Sequence, residues 1–341
     1  MCGIFGIASS HEISAILLKS LERLEYRGYD SCGLCIIDDT GALQVRKGAG
    51  PVKRVADEEK FSLASGNTGL GHVRWATHGR VSRLNAHPLT DSYGDIAIVH
   101  NGILQDYQPI RDQLIGEGHT FLSETDSEVI AHLIEKGIRD GLSLEDSILH
   151  CARQLSGTFA IGVVSSQQPD VLYALRQESP LLVGIGSDFH CFSSDPLALA
   201  GLTDRVLWLE DGEMVRIDRN SCQIRTITDG KLVERAPETI SISERAADLE
   251  GHTDFMSKEI SENGQVVRTA LAIPEADIDQ MVQAIDGSER TVLTGVGTSY
   301  YVALMGQYMM SGLANEFLPA MSSDEMPHMV SLRKGDHVLA I

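Results

Sequence analysis

The sequence begins with Met1-Cys-Gly-Ile-Phe-Gly-Ile-Ala8, and this stretch decides the interpretation of the rest. Small and apolar residues run from Cys2 to Ala8 without a charge, which predicts a buried strand. Taken alone, Cys2 fits a small strand residue better than a reactive thiol. The other interpretation gives it chemistry. A small second residue favours removal of Met1, and an α-amine, whose pKa is about 8, can then take the proton of the neighbouring thiol.

Composition limits the class of protein. The 341 residues allow about two domains of roughly 150 residues each. Lys and Arg number 28 against 48 Asp and Glu, and the net charge of −20 argues against binding nucleic acid or an anionic membrane. Six cysteines without a secretory start predict a cytoplasmic protein with free thiols. The pair Cys32 and Cys35 has no second Cys-x-x-Cys, which argues against a structural zinc site.

Residues 2–220 alternate many short strands with few helices. Apolar spacing predicts helices over Glu12–Glu25 and Leu144–Leu155, and Thr125-Asp-Ser-Glu128 is a capping-box pattern before a third. Asp211-Gly212 predicts a hairpin between the last two strands. The predicted strands are Gly33–Asp38, Thr68–Val73, Asp95–His100, Thr158–Ser165, Val171–Arg176, Pro180–Gly186, His190–Ser193, Val206–Leu209 and Glu213–Ile217. This pattern predicts a layered α+β domain.

The remaining sequence changes character. Residues 221–254 become rich in charge and lose the regular pattern, which predicts an end strand and a linker. Residues 255–341 read as two helices, a strand at Val292–Gly295, a helix at Tyr300–Leu313 and an apolar run at Val338–Ile341. That order predicts the start of a parallel α/β sheet with too few strands to cover both faces, hence an incomplete domain.

One uncharged stretch, Thr291–Asn315, is long enough to cross a bilayer. Its threonines, serines and glycines favour a strand, a turn and a helix instead, so we predict no membrane span. The turn, Gly295-Val-Gly-Thr-Ser299, is a plausible phosphate cradle, although it lacks the third glycine of a dinucleotide fingerprint.

Four short motifs contain residues suited to catalysis or binding. Gly71-His-Val-Arg-Trp-Ala-Thr-His-Gly79 carries Arg74, whose fork suits a carboxylate, although a surface loop with one ion pair fits as well. Asn101-Gly102 can aim two donors at an oxyanion, but Asn-Gly is also a common tight turn. Asp126 could bind an amino group or complement a helix dipole. Arg27 with Asp30 fits a helix stop. Together these residues match an amino acid with an amide to cleave, and glutamine is the obvious candidate.

The motifs resemble those of a known family. The matching stretches are Met1–Ile4, Leu24-Glu-Tyr-Arg-Gly-Tyr-Asp-Ser31, Arg74-Trp-Ala-Thr-His-Gly79, Asn85-Ala-His-Pro88, Val99-His-Asn-Gly-Ile103 and Ser123-Glu-Thr-Asp126. In order and spacing the chain resembles the glutamine–fructose-6-phosphate aminotransferases. The resemblance implies an N-terminal nucleophile amidotransferase domain, a four-layer αββα sandwich, over 2–220. It also implies an incomplete sugar-isomerase domain over 255–341.

The resemblance implies a role for each matching residue. Cys2 would form a thioester with glutamine, while Asn101 and Gly102 hold the oxyanion. The glutamine-binding residues it implies are Arg74, Thr77, His78 and Asp126; the gating and ordering residues are Arg27, Trp75 and His87; the partial sugar-phosphate site is Gly297, Thr298 and Ser299.

The resemblance also implies partners, and it implies no metal and no organic cofactor. Ammonia from L-glutamine would aminate fructose 6-phosphate to glucosamine 6-phosphate in a full-length homodimer, and this chain is expected to keep only the glutaminase half. The alternatives are a truncated, non-catalytic partner or fragment, and another class II amidotransferase.

Overall fold

The computed structural model describes residues 2–242 and 248–341. The chain divides into two compact units, with the boundary between Lys258 and Glu259. Each unit has its own sheet system and is described separately.

The first unit contains two antiparallel sheets and the helices that cover them. Its strands are β1 Gly3–Ser9, β2 Ser31–Ile37, β3 Leu43–Ala49, β4 Thr68–Arg74, β5 Leu89–Thr90, β6 Ile96–Gln105, β7 Ser156–Ser165, β8 Leu172–Gln177, β9 Leu182–Ile185, β10 Phe189–Ser193, β11 Arg205–Trp208, β12 Glu213–Ile217, β13 Cys222–Thr226, β14 Leu232–Val233 and β15 Glu238–Thr239. Its helices are α1 Ser14–Leu24, α2 Val52–Glu58, α3 Tyr107–Gly116, α4 Glu128–Arg139 and α5 Leu144–Ala152, with 3-10 turns at Glu25–Arg27, Phe61–Leu63 and Pro196–Leu199.

Strand order divides these elements into two sheets. The first sheet runs β15-β11-β9-β10-β1-β4-β2-β3, and the second runs β14-β13-β12-β8-β7-β6-β5. Side chains on β1 alternate between two cores, because successive strand residues point to opposite faces. Phe5 and Ile7 pack in one cluster with Leu17 of α1, whereas Ile4 lies in a second cluster that also contains Val99 of β6.

The second sheet repeats this alternation on its own outer face. Ile96 and Ile98 of β6 pack in a third cluster with Val129 of α4, while Val99 belongs to the cluster between the sheets. The layers are therefore helix, sheet, sheet, helix. The predicted four-layer α+β sandwich is confirmed.

The space between the sheets is filled by a ring that two glycines accommodate. Phe192 of β10 is fully buried. A Cβ added at Gly6 would lie 2.4 Å from its ring, and one added at Gly162 would lie 2.6 Å from it. One glycine belongs to each sheet. The two sheets can therefore approach closely around the Phe192 ring only because neither glycine carries a side chain.

We expect Phe192→Ala to lower the free energy of unfolding by about 3–5 kcal/mol, because it leaves a cavity between the sheets. Gly162→Ala is expected to cost about 1–3 kcal/mol through overpacking. Equilibrium denaturant unfolding measures both, with Tyr93→Ala as control, since Tyr93 is 71% exposed. A Phe192 variant as stable as that control would contradict this packing.

Two local predictions are wrong. Asp211-Gly212 is not a hairpin turn, because β11 pairs with β9 and β15 in the first sheet while β12 pairs with β8 and β13 in the second. The Gly212 N–H donates to the carbonyl of Arg176 in β8, and the Gly212 carbonyl accepts from Ile227. The Asp-Gly pair indicates a residue at positive φ, and Gly212 has φ of 78°. A hairpin turn needs such a residue, but so does this crossover between the two sheets.

The second wrong prediction is the capping box before α4. Ser127 is the residue before the helix, and its side chain makes no capping hydrogen bond. Instead the Glu128 carboxylate accepts from the backbone N–H groups of Leu122 and Ser123, each at 2.7 Å. Glu128 therefore stabilises the loop that precedes the helix and does not form a capping box with Thr125.

The segment 221–254, predicted as an end strand and a linker, contains β13, β14 and β15. β13 and β14 extend the second sheet, and β15 pairs with β11 at the edge of the first. β14 and β15 have two residues each, too few for an alternating pattern to appear in the sequence.

The second unit has a parallel sheet in the order β17-β16-β18. Its strands are β16 Arg290–Gly295, β17 Ala320–Ser322 and β18 Asp336–Ala340; its helices are α7 Glu275–Asp286, α8 Thr298–Met309 and α9 Met326–Met329, with a π-helical turn at Met310–Ala314. α6, Phe255–Leu271, begins before the boundary at Lys258. The predicted α/β start is confirmed, and the three-residue β17 and the four-residue α9 are added to it. Within 2–242 and 248–341, no helix has the length and apolar content needed to cross a bilayer.

Candidate active site

Cys2 lies where four separate parts of the sequence meet. Its Sγ is 3.3 Å from the backbone nitrogen of Trp75 and 3.4 Å from the Trp75 carbonyl. Its own carbonyl accepts hydrogen bonds from Arg27 Nε at 2.9 Å and from Asn101 Nδ2 at 3.0 Å. The first strand, the Arg27 turn, the Trp75 loop and the Asn101 strand therefore share one half-buried residue.

Burial raises the pKa of the Cys2 thiol, while the Trp75 hydrogen bond and the charges of Arg74 and Arg27 act in the opposite direction. Across the described residues, the hydrogen bonds of Sγ go to the Trp75 backbone and to no basic side chain. The thiol is thus mostly protonated at neutral pH and needs a base to become a nucleophile.

The turn after α1 fits against the Trp75 loop because of Gly28. A Cβ at Gly28 would lie 2.6 Å from both Arg74 C and Trp75 N, so only glycine permits this approach. Two residues further on, Asp30 Oδ2 accepts from the Ala76 N–H at 2.8 Å. The Arg27–Asp30 segment is therefore more than the helix stop that its sequence suggests, since it also holds the loop beside Cys2.

Arg27 has a partner that the sequence did not indicate. Its Nη1 lies 2.8 Å from Asp195 Oδ2, and both side chains are largely buried. Asp195 precedes the 3-10 turn at Pro196–Leu199 and also accepts from the Leu197 N–H at 2.9 Å. An Asp-Pro pair usually indicates only a turn, so no sequence pattern links Asp195 with Cys2.

Arg74 ends β4 and is 4% exposed. Its Nη2 donates to the His78 carbonyl, whereas its buried Nη1 has no hydrogen-bond partner. Burial lowers the pKa of Arg74, and the charges of Cys2, Asp126 and Asp30 oppose that shift. A buried guanidinium with a free edge is suited to a carboxylate.

Asp126 is the buried negative group near this guanidinium. It is 4% exposed, and its Oδ2 accepts from the Leu104 N–H at 2.8 Å, while Oδ1 accepts from the Ser127 hydroxyl at 3.2 Å. Asp126 and Arg74 interact electrostatically. Opposite charges of this kind match the ammonium and carboxylate of a free amino acid.

Asn101-Gly102 does not form a turn. The pair lies inside β6, opposite Ala160 and Phe159 of β7. Gly102 has φ of 131°, and a Cβ there would lie 2.0 Å from the Thr158 carbonyl oxygen. Asn101 Oδ1 is buried without a partner, since only its Nδ2 is used. Gly102 therefore has a positive φ within a continuous strand, directly after the residue that reaches Cys2.

The Trp75 loop is joined to the Asp126 loop through Asn85. Its Nδ2 donates to Glu124 Oε2 at 2.9 Å, and its Oδ1 accepts from the Glu124 N–H at 2.8 Å. Thr77 and Trp75 are exposed, and the Trp75 ring meets the edge of Tyr29 at 5.7 Å. His78 is half-buried, with its ring 6.2 Å from that of Tyr107.

Three histidines are buried behind the site. His72 and His87 have ring centroids 4.3 Å apart, and His72 Nε2 lies 3.0 Å from the His100 carbonyl oxygen. Burial lowers the pKa of all three, that of His72 to about 3. His87 has no hydrogen-bond partner on either ring nitrogen. The predicted ordering residue His87 is therefore a neutral interior group, whereas the predicted gating residue Trp75 is at the surface.

We expect these buried histidines to lower the free energy of unfolding as the pH falls below neutral. The folded pKa of His72 lies below its ordinary value, so the unfolded chain binds a proton first as pH falls. The stability that His72 contributes is complete above its unfolded pKa of about 6.5 and declines toward its folded pKa, by about 1.4 kcal/mol per pH unit.

Denaturant unfolding from pH 7 to pH 5 measures this slope. His72→Asn is expected to reduce it by about one proton. An equal slope in wild type and His72→Asn would contradict the assignment.

One buried group in the described chain resembles a metal site. Ligand atoms of His119, His132 and Glu135 lie within 4.8 Å of one another. Both histidines place Nδ1 3.0 Å from Glu135 Oε2, which also accepts from the Ser92 hydroxyl at 3.0 Å. Glu135 and Glu128 raise the pKa of His132 against the effect of burial. Hydrogen bonds thus engage Nδ1 of both histidines and Oε2 of Glu135, whereas His132 Nε2 and Glu135 Oε1 have no hydrogen-bond partner among the described residues.

The predicted sugar-phosphate residues lie in the second unit. Gly297, with φ of 59°, precedes α8, and Thr298 and Ser299 are the first residues of that helix. Gly295 permits close packing, because a Cβ there would lie 2.7 Å from Ser299 C. Free N–H groups at such a helix start favour an anion.

Comparisons with known proteins identify the family of the chain. A family model described as a glutamine amidotransferase domain matches residues 51–221. The glutamine–fructose-6-phosphate aminotransferase (isomerizing) of Thermococcus kodakarensis is 37% identical over 93% of this chain and 52% of its own length. The enzyme of the same name from Methanococcus maripaludis is 38% identical over 95% of this chain and 55% of its own length. The chain thus spans about half the length of these curated relatives.

The fold has a solved counterpart. The glutamine phosphoribosylpyrophosphate amidotransferase of B. subtilis superposes with a TM-score of 0.61 at 23% identity, covering 97% of this chain and 71% of that one. At this identity the similarity concerns the fold alone.

Proposed function

We propose, from the premise that the chain belongs to the glutamine amidotransferase family, that it hydrolyses glutamine through a thioester on Cys2. The observation that carries the proposal is the meeting of Arg27, Trp75 and Asn101 on Cys2. A thiol raised in pKa by burial, without a basic side chain bonded to it, supports the use of its own α-amine as base.

The reaction has two steps. After removal of Met1, the Cys2 amine takes the Sγ proton, and Sγ attacks the side-chain carbonyl carbon of glutamine. Asn101 Nδ2 and the Gly102 N–H stabilise the oxyanion. The Cys2 amine then passes its proton to the amide nitrogen, and collapse of the intermediate breaks the C–N bond, releases ammonia and leaves a glutamyl thioester. Water then cleaves the thioester, giving glutamate and the free thiol.

The substrate is held at both charged ends. Arg74 offers its free Nη1 to the glutamine carboxylate, and Asp126 receives the ammonium group. Thr77 and His78 line the pocket, and Trp75 closes it from the surface. Arg27 and His87 order the surroundings from within.

The whole reaction is proposed from the names of the relatives. We propose that ammonia passes to fructose 6-phosphate and forms glucosamine 6-phosphate, in a cytoplasmic homodimer of the full-length protein. Residues 2–220 would be the amidotransferase domain, 221–254 an end strand and linker, and 255–341 part of the isomerase domain. Gly297, Thr298 and Ser299 would contribute to its sugar-phosphate site. Synthase activity would need chain beyond these residues, so this chain supplies the glutaminase half.

Ammonia release tests the proposal. Purified chain whose intact mass shows loss of Met1 is incubated with L-glutamine or, as control, L-asparagine. We expect ammonia and glutamate in equal amounts from glutamine and at least about 100-fold less ammonia from asparagine, which is one methylene too short to reach Sγ from the Arg74 end. No release from glutamine would favour a non-catalytic partner or fragment.

A further inference from the structure

We infer that Tyr26 and Phe255 are positioning residues for Cys2, connected to it through Asp195 and Arg27. The inference rests on the proposed function, because it concerns the same nucleophile. Tyr26 lies beside Arg27 in the turn after α1, whereas Phe255 begins α6, more than 200 residues later. Neither residue touches Cys2, so both act through others.

Each contact in this connection is close. The Phe255 ring meets the edge of the Tyr26 ring, with centroids 5.6 Å apart. The Tyr26 hydroxyl donates to Asp195 Oδ2 at 2.6 Å, and the same oxygen accepts from Arg27 Nη1 at 2.8 Å. Arg27 Nε then donates to the Cys2 carbonyl at 2.9 Å. The path is thus one ring contact and three hydrogen bonds.

Tyr26 and Arg27 both donate to Asp195 Oδ2, so their two hydrogen bonds depend on each other. Asp195 is fixed by the Leu197 N–H on its other oxygen, so its position is determined from two sides. Burial and the Asp195 carboxylate raise the pKa of Tyr26 to about 12, so the hydroxyl remains a donor at any physiological pH. Without that donor, one of the contacts that fix Asp195 is lost, and the Arg27 guanidinium that donates to the Cys2 carbonyl is less well placed.

The segment that carries Phe255 is itself attached to the same turn. Asp248 Oδ1 lies 3.4 Å from Arg23 Nε, at the end of α1. The Lys258 side chain is 3% exposed, and its Nζ donates to the Asp248 carbonyl at 2.6 Å. Residues 248 and 255 therefore contact Arg23 and Tyr26, on either side of the end of α1.

The charge of Arg27 gives the inference a direct readout. Arg27 helps lower the pKa of the Cys2 thiol against the effect of burial, so a displaced guanidinium makes the thiol less reactive. Alkylation of Cys2 by iodoacetamide, followed by peptide mass spectrometry across pH 6 to 9, measures this without glutamine.

The variants are Tyr26→Phe, which removes only the hydroxyl, and Phe255→Leu, which removes only the ring. We expect each to slow alkylation of Cys2 at pH 7 by roughly threefold to tenfold, with the pH profile moved to higher pH. Phe255→Tyr keeps the ring and is expected to react at the wild-type rate. Met256→Ala is the matched control, since Met256 is adjacent and 70% exposed.

The double variant Tyr26→Phe/Phe255→Leu separates positioning from general loosening. Because both residues act through one contact, we expect it to react no more slowly than the slower single variant. Single variants within about 1.5-fold of wild type, or effects that multiply in the double variant, would overturn the inference. If alkylation responds as expected while the wild type releases no ammonia, the proposed function fails and the positioning role stands.

Discussion

Cys2→Ala is expected to reduce ammonia release from glutamine by at least about 10³-fold, because removal of a nucleophile leaves only binding and oxyanion stabilisation. In the structure Cys2 is the residue on which Arg27, Trp75 and Asn101 converge, so no other thiol can take its place. The measurement is glutamate formation at saturating glutamine, with Met1 removal checked for each preparation.

The other thiols provide the control. Cys222 is half-buried and lies on β13, so Cys222→Ala is expected to keep wild-type activity. Cys35 and Cys151 are fully buried, and burial alone raises the pKa of both thiols far above neutral. If Cys2→Ala released ammonia at a rate near that of the Cys222 variant, the thioester mechanism would be wrong.

Arg74→Lys is expected to weaken glutamine binding by about 2–5 kcal/mol, a rise in KM of roughly 30-fold to several thousand-fold. The free Nη1 of Arg74 is buried, and a lysine cannot supply both a bond to the His78 carbonyl and a second donor in a fixed plane. The loss should appear mainly in KM, because the ground-state carboxylate is what Arg74 holds.

Arg80→Lys is the matched control for that experiment. Its side chain is 80% exposed, six residues further along the same loop, and faces Glu124 at 3.9 Å. We expect its KM to stay within twofold of wild type, as is usual for an exposed ion pair. An unchanged KM in Arg74→Lys would refute the carboxylate-binding role.

Much of the fold could be predicted from local pattern. The strand at Cys2–Ala8, the helix at Glu12–Glu25 and the strands from Thr158 to Ile217 agree with the structure to within a few residues. The strand at the start is a continuous small and apolar run, and the helix has an apolar stripe at helical spacing, so both patterns appear directly in the sequence. The local pattern could not show which strands share a sheet. Asp211-Gly212 illustrates this, because the choice between a hairpin and a crossover depends on contacts with Arg176 and Ile227.

The candidate site also contains residues that the sequence could indicate and residues that it could not. Cys2, Arg74, Asn101 and Asp126 could be proposed because each residue type has chemistry suited to an amino acid amide. Asp195 could not, since its role arises from a contact with a residue 168 positions away. Gly28 was missed as a packing residue for a similar reason. Its missing Cβ matters only because Arg74 and Trp75 lie 2.6 Å from where it would be.

Intact mass spectrometry of active protein treated with a glutamine-shaped chloroketone tests the central claim most directly. The account predicts a mass that lacks Met1 and carries one label, with peptide mapping placing that label on Cys2 and ammonia release lost in proportion to labelling. Active protein that retains Met1, or inactivation that follows labelling of a different side chain, would contradict it.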